Sequence, residues 1–348
     1  MLNILKHRNI LTKIRLLKIC LDIYNSFLFF DTIVIENARR NIMNYIKLPQ
    51  TDLKVSQIAL GCMRIANKSI DEVETLVKYA IDNGVNFFDH ADIYGAGKSE
   101  QLFGEVLKRN PELRDKMIIQ TKCGIVSGKR YDFSKEHILQ SVNGSLERLQ
   151  TDHVEILLLH RPDALCDPKE VAEAFDELYD AGKVKYFGVS NHTPLQIKLL
   201  QKYTKHPIIA NQLQLSIIHS VMIDSGLNMN MVESLAQDKD GGVLDFCRLN
   251  DITIQAWSIV QASWEDGTFL DNPKYQKLND KLQELADKYN TTKSTIATAW
   301  ILRHPAQIQA IAGTTSCTHL QENINACDIK LTRQEWYDLY LAGEKVLP

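Results

Sequence analysis

Short apolar runs at 57–60, 85–89, 117–122, 154–160, 184–189, 208–212, 252–257 and 308–312 alternate with longer amphipathic stretches, and this rhythm constrains the fold more than any other feature. Runs of that length, rich in Val, Ile, Leu and Phe, read as strands buried on both faces. Apolar residues three and four apart over 70–83, 134–149, 168–181, 194–203, 278–289 and 294–303 read as helices with one buried face. Regular alternation of the two implies parallel strands joined by helical crossovers. Eight such units match the size of an α/β fold of the (β/α)8 TIM barrel class, with an open doubly wound sheet as the alternative. The doubly wound fold lacks its glycine fingerprint here. Gly61-Cys62-Met63-Arg64 follows the first run, and Gly95-Ala96-Gly97 reads as a turn that opens a helix.

Ahead of the barrel, 43–61 alternates apolar and polar residues around a turn signal at 49–52, which predicts an N-terminal β-hairpin cap. Residues 43–348 read as one barrel domain ending in a C-terminal helical extension. Residues 1–42 read as an extension outside the fold. They carry seven basic residues against three acidic ones, and Arg39 and Arg40 lie just ahead of a second methionine, Met43. AGG codons at those arginines would form a ribosome-binding site, so we expect translated upstream sequence from a misplaced start. The alternative is an amphipathic helix over 4–30 that docks on a surface.

Composition excludes several partners. Lys plus Arg total 40 against 43 for Asp plus Glu, so no basic footprint for nucleic acid exists. The longest apolar stretch, 16–35, is broken by Lys18, Asp22, Asn25, Ser26 and Asp31, which makes a membrane span costly and splits a signal-peptide core. Seven cysteines without a C-x-x-C pair point to a reducing compartment, and we expect a cytoplasmic protein. Oligomeric state is not legible.

In a barrel of this class the reactive groups sit at the carboxyl ends of the strands. There the second to seventh runs place Asp89, with His90, Asp92 and Tyr94 in its loop, then Lys122, His160, Ser190 with Asn191, Gln212, and Trp257 with Ser258. Singly, each has an ordinary structural reading as a cap, a solvated charge or a core residue. Their gathering at one end of six successive strands does not.

From about Met43 onward these residues resemble the aldo/keto reductases, in their bacterial oxidoreductase branch. Phe87-Phe88-Asp89-His90-Ala91-Asp92-Ile93-Tyr94-Gly95 is similar to that family's Asp and Tyr motif, and Lys122 and His160, in Leu159-His160-Arg161-Pro162-Asp163, complete its tetrad. Gly188-Val189-Ser190-Asn191 with Gln212 resembles the nicotinamide carboxamide motif. Gly313-Thr314-Thr315 with His319, Glu322 and Asn323 resembles the adenosine-side motif. The resemblance implies reduction of a small aldehyde or ketone to the alcohol, with NADP(H) as cofactor and NAD as the alternative. Tyr94 would give the proton, Lys122 would ease the charge left on it, Asp89 would hold Lys122, and His160 would orient the carbonyl oxygen. Trp257 would stack on the nicotinamide, and Ser258, Ile259 and Val260 would cover the pyrophosphate through backbone groups.

Two departures from the family stand out. Ile259 replaces its usual proline, and its phosphate-grasping Arg and Lys are replaced by His319 and Gly313, neither of which makes a permanent two-pronged grip. The loops 216–242 and 261–272, with Met222, Met229, Met231 and Trp264, are expected to wall the substrate pocket. Two rivals remain: a metal-dependent barrel hydrolase, which lacks an H-x-H pair on its first strand and any recognisable ligand spacing, and a non-catalytic nicotinamide-binding regulatory subunit.

Overall fold

In the computed structural model the described residues are 43–232 and 234–347, so the expectation for 1–42 lies outside them. The chain enters through an antiparallel hairpin of β1 (Tyr45–Lys47) and β2 (Lys54–Ser56). Its turn is tied by Thr51, whose hydroxyl donates to the Leu48 carbonyl at 2.8 Å. Leu48, Leu53 and Val55 are buried in one cluster with Phe87, Ile156, Leu158, Ile209 and Ile311 from the strands that follow. The hairpin therefore plugs the amino-terminal end of the barrel, each fully buried aliphatic side chain contributing about 1.5–3 kcal/mol, and the carboxyl-terminal end is left for chemistry.

The barrel strands are β3 (Ile58–Gly61), β4 (Phe87–Asp89), β5 (Ile118–Cys123), β6 (Val154–Leu159), β7 (Val184–Ser190), β8 (Ile208–Gln214), β9 (Thr253–Trp257) and β10 (Gln309–Ala312). They run parallel in chain order, and β10 closes on β3 through Ala310–Ile58 to Ala312–Leu60 register. All eight lie within two residues of the runs read from the sequence. Helices α1 (Ile70–Asp82), α2 (Lys98–Arg109), α3 (Lys135–Leu149), α4 (Pro168–Asp180) and α5 (Pro194–Tyr203) link the first six strands. The α1 start shows why they begin where they do: Ser69 accepts from the Glu72 N–H while the Glu72 carboxylate accepts from the Ser69 N–H at 2.9 Å.

Two pairs of helices fill the remaining connections, α6 (Val221–Leu227) with α7 (Val243–Leu249), and α8 (Gln276–Tyr289) with α9 (Lys293–Leu302). The C-terminal extension is α10 (Cys317–Asn325) and α11 (Arg333–Ala342). It is bolted to the barrel by Trp300 and Trp336, which stack at 4.8 Å and exchange indole N–H to carbonyl hydrogen bonds. No helix among the described residues is long and apolar enough to cross a membrane.

Candidate functional site

Parallel strands that twist into a barrel bring their last residues to one rim, and β4, β5 and β6 are neighbours there. Lys122, the fifth residue of β5, is 0% exposed. Its ammonium spends all three donors: on Asp89 Oδ2 at 2.8 Å, on the His90 carbonyl at 2.7 Å and on Tyr94 Oη at 3.0 Å. Burial alone would lower its pKa, but the Asp89 carboxylate and the Tyr94 hydroxyl hold it above the ordinary lysine value, so the site keeps its cation. Burial pushes the Tyr94 hydroxyl up, and Lys122 opposes that without reversing it. In this state Tyr94 is neutral and able to donate a proton.

His160 follows β6, with its ring edge-on to Tyr94 at 5.9 Å between centroids. Burial, and then the charges of Lys122 and Arg161, push its pKa down to about 2. The imidazole is neutral. Its Nδ1 is buried with no hydrogen-bond partner among the described residues, and an orphaned lone pair is less costly there than an orphaned N–H, which assigns the proton to Nε2.

The loop that carries Tyr94 is held from both ends. Gly95, Ala96 and Gly97 have φ of 57°, 55° and 89°, three successive left-handed residues that swing the chain into α2. A Cβ on Gly95 would stand 2.4 Å from the Ala66 side chain, so a larger residue is excluded twice over. Behind the loop, Glu100 accepts from Thr121 at 2.6 Å and from Arg148 Nε at 2.8 Å. Asp92 lies beside this group, and burial followed by the Glu100 charge pushes its carboxyl up to about 7.

A feature that sequence reasoning missed runs inward from Asp89. Gln120 and Gln212 both donate to Asp89 Oδ1, at 2.6 and 2.9 Å, and both also donate to Gln255 Oε1. Gln255 in turn donates to Gln309 at 2.9 Å, and Gln309 to the Ser56 carbonyl at 2.8 Å. A chain of buried amides thus threads the barrel from the site to the hairpin. The available signal was the isolated glutamine within each apolar run.

Of the residues expected to hold a nicotinamide, Ser190 is committed internally: its hydroxyl donates to the Gln212 carbonyl at 3.0 Å and accepts from Asn191 Nδ2 at 2.7 Å. This holds the two amides in register. Among the described residues Asn191 Oδ1 and Gln212 Oε1 accept no hydrogen bond, and Trp257 Nε1 is buried without a partner. Two free amide oxygens on adjacent strand ends, with Trp257 ending the next strand, fit a primary carboxamide on a flat heterocycle.

The loop after β9 is pinned although it lacks proline. Ser258, at φ 55°, bonds Gln261 at 2.8 Å, Val260 O accepts from Phe269 N and Thr268 Oγ1, and the Ile259 side chain is buried in the core. The Ile259 side chain is therefore withdrawn from a ligand there, while its backbone and the partly exposed Ser258 and Val260 remain available. At the far end, Ser316 caps α10, and His319 is exposed beside it. Thr314, Thr315 and Glu322 are partly exposed near this helix start. Asn323, by contrast, is buried, with its amide donating to the His319 carbonyl and accepting from Thr298 at 3.0 Å. A cation that the sequence reading passed over stands here: Arg64 Nη1 donates to the Gly313 carbonyl at 2.6 Å, and a Cβ on Gly313 would meet only that nitrogen, at 3.1 Å.

The methionines expected to wall the pocket do not share one environment. Met222 is 7% exposed within the core and Met229 is 74% exposed, so one packs and the other faces solvent. Trp264 is beside Trp257, ring centroids 6.5 Å apart. A metal-dependent hydrolase would need histidines gathered as ligands, but His90 lies edge-on to Phe103 at 4.5 Å and His192 stacks on Phe133 at 6.1 Å, and no group of three possible ligands forms among the described residues.

Against known proteins, the sequence pattern of the aldo/keto reductase family matches residues 57–340. The chain is 35% identical over 313 residues to an uncharacterized oxidoreductase, YcsN, of Bacillus subtilis, covering 86% of this chain and 98% of that protein. It is 34% identical over 300 residues to a 6-dehydroglucose reductase of Agrobacterium fabrum, covering 83% and 94%. The crystal structure of a thermostable aldo-keto reductase, Tm1743, in complex with the inhibitor epalrestat superposes with a TM-score of 0.69 at 26% identity, over 86% of this chain and 100% of that one.

Proposed function

This chain belongs to the aldo/keto reductase family of oxidoreductases, and on that premise we propose that it reduces a small aldehyde or ketone to the alcohol, with Asp89, Tyr94, Lys122 and His160 as its catalytic residues. The observation that carries the reading is the fully buried Lys122 ammonium bonded at once to Asp89 and to the Tyr94 hydroxyl. A reduced nicotinamide, when bound, supplies the hydride that adds to the carbonyl carbon. Tyr94 Oη gives its proton to the carbonyl oxygen, and the O–H bond that breaks leaves a phenolate. Lys122, 3.0 Å away, stabilises that phenolate, while Asp89 keeps Lys122 from turning elsewhere. His160, neutral and with its proton on Nε2, donates a second hydrogen bond to the same oxygen as negative charge builds there. Tyr94 then regains a proton from water.

The cofactor is held, in this reading, by Asn191 and Gln212 on the carboxamide, with Ser190 fixing both, and by the Trp257 ring. The backbone of Ser258, Ile259 and Val260 covers the pyrophosphate, and Gly313, Thr314, Thr315, His319 and Glu322 take the adenosine end, with Asn323 shaping that helix. NADP(H) is the preferred form: Arg64 brings a guanidinium to Gly313, where the family's lysine is missing, and the α10 start favours a phosphate. NAD is the alternative. The intact tetrad speaks against a non-catalytic nicotinamide-binding subunit. The test is a panel of aldehydes, ketones and dicarbonyls assayed with NADPH and NADH by loss of reduced-nicotinamide absorbance. Turnover of at least one carbonyl class is expected, and silence across the panel contradicts the reading.

A further inference from the structure

One charged side chain at the barrel mouth has no role in the account above. Arg161 follows His160, and its guanidinium lies 5.9 Å from the centroid of the Trp257 ring. His160 stands beyond the end of β6 and Trp257 ends β9, with β7 and β8 between them in the barrel. The side chain therefore reaches across the mouth instead of out into solvent. It is only partly exposed.

Arg161 has no hydrogen bond and no ion pair among the described residues. The acid nearest in sequence is committed elsewhere, since Asp163 accepts from the Phe133 and Leu165 N–H groups, each at 2.9 Å. Within the tetrad and its loop the charges cancel or vanish. Asp89 and Lys122 pair at 2.8 Å, and His90 and His160 are neutral. Asp92 lies on the other side of the Tyr94 loop, grouped with Glu100 and Arg148. What remains over the mouth is a guanidinium with no ion-pair partner among the described residues, beside two apolar rings. A guanidinium that is partly removed from water and lacks a carboxylate attracts an anion more strongly than a solvated one.

We propose that Arg161 binds an acidic group of the substrate, so that the compound reduced at Tyr94 is a short carbonyl compound that also bears a carboxylate or a comparable anion. This rests on the carbonyl-reductase reading of the same site. Trp264, 72% exposed and beside Trp257, supplies an apolar flank for the segment between the carbonyl and the acid. The guanidinium fork suits a carboxylate in two-pronged contact.

The test uses carbonyl pairs that differ in charge alone: succinic semialdehyde and its methyl ester, and para-carboxybenzaldehyde and its methyl ester. The expected result is a kcat/KM at least about tenfold higher for each acid than for its ester, expressed mainly in KM, as charged hydrogen bonds of ordinary strength imply. Added salt should shrink that ratio. Arg161→Met should collapse it toward one, and Arg161→Lys should leave an intermediate ratio, which guards against a variant that merely folds poorly. Equal kcat/KM for acid and ester in the wild type, or an acid preference that survives Arg161→Met, overturns the anion site while reduction of the esters leaves the carbonyl-reductase reading standing. No reduction of either pair, nor of neutral aldehydes, overturns both.

Discussion

Lys122 shows what a single residue can be made to do by its surroundings. A buried ammonium is costly unless its donors are met, and here an acid, a carbonyl and a phenol meet all three. The phenol is the partner that changes during the proposed reaction, and this sets the sign of the pH dependence. Reduction needs Tyr94 protonated, so it should hold through neutral pH and fall as pH rises through an elevated phenol pKa, above the ordinary value of about 10. Alcohol oxidation needs the phenolate and should rise over the same range. His160, at about 2, contributes no limb between roughly pH 5 and 9. Asp92, pushed up to about 7, should add a limb near neutrality that vanishes in Asp92→Asn. Steady-state pH profiles in both directions check this, and a reduction rate that climbs with pH would count against Tyr94 as the acid.

At the scale of elements, strands were legible because a parallel barrel buries both faces of each strand, which leaves an unbroken apolar run. The site residues were legible for the same reason, as polar interruptions at the ends of those runs. The glutamine chain was not, because an amide inside a strand shows no partner in sequence and its four members come from β5, β8, β9 and β10. Gln255 is its hub, accepting from two amides and donating to a third. Replacing it by Leu strands Gln309 and weakens the bracing of Gln120 and Gln212 behind Asp89. Gln255→Leu should therefore lower stability by about 2–4 kcal/mol, on the scale of a few unmet buried hydrogen-bonding groups. Urea unfolding measures it, and a change under about 0.5 kcal/mol, the range of an ordinary surface substitution, would mean that the chain is not stabilising.

Across the whole molecule, the hairpin seals one end of the barrel and the chemistry gathers at the other, so the two ends answer to different demands. Packing at the closed end is set by apolar pattern. The open end depends on long-range juxtaposition, which is why Arg64 at Gly313, 249 residues apart, was invisible in the sequence while the departure at His319 was plain. These two residues define the cofactor test. His319→Arg should tighten NADPH by about 1–2 kcal/mol through a permanent charged grip while changing NADH little. Calorimetric titration reads both, and equal changes for the two cofactors would place the phosphate away from residue 319.

The central claim is that hydride and proton meet at one carbonyl beside Tyr94. NADPH carrying deuterium at the nicotinamide transfer position, incubated with the best carbonyl substrate, tests it directly when the alcohol is analysed by mass spectrometry. The wild type should place one deuterium on the carbinol carbon, and Tyr94→Phe should form that product at least about a hundredfold more slowly, the lower end of what a general acid contributes. Unlabelled alcohol, or a Tyr94→Phe enzyme as fast as the wild type, would contradict the account.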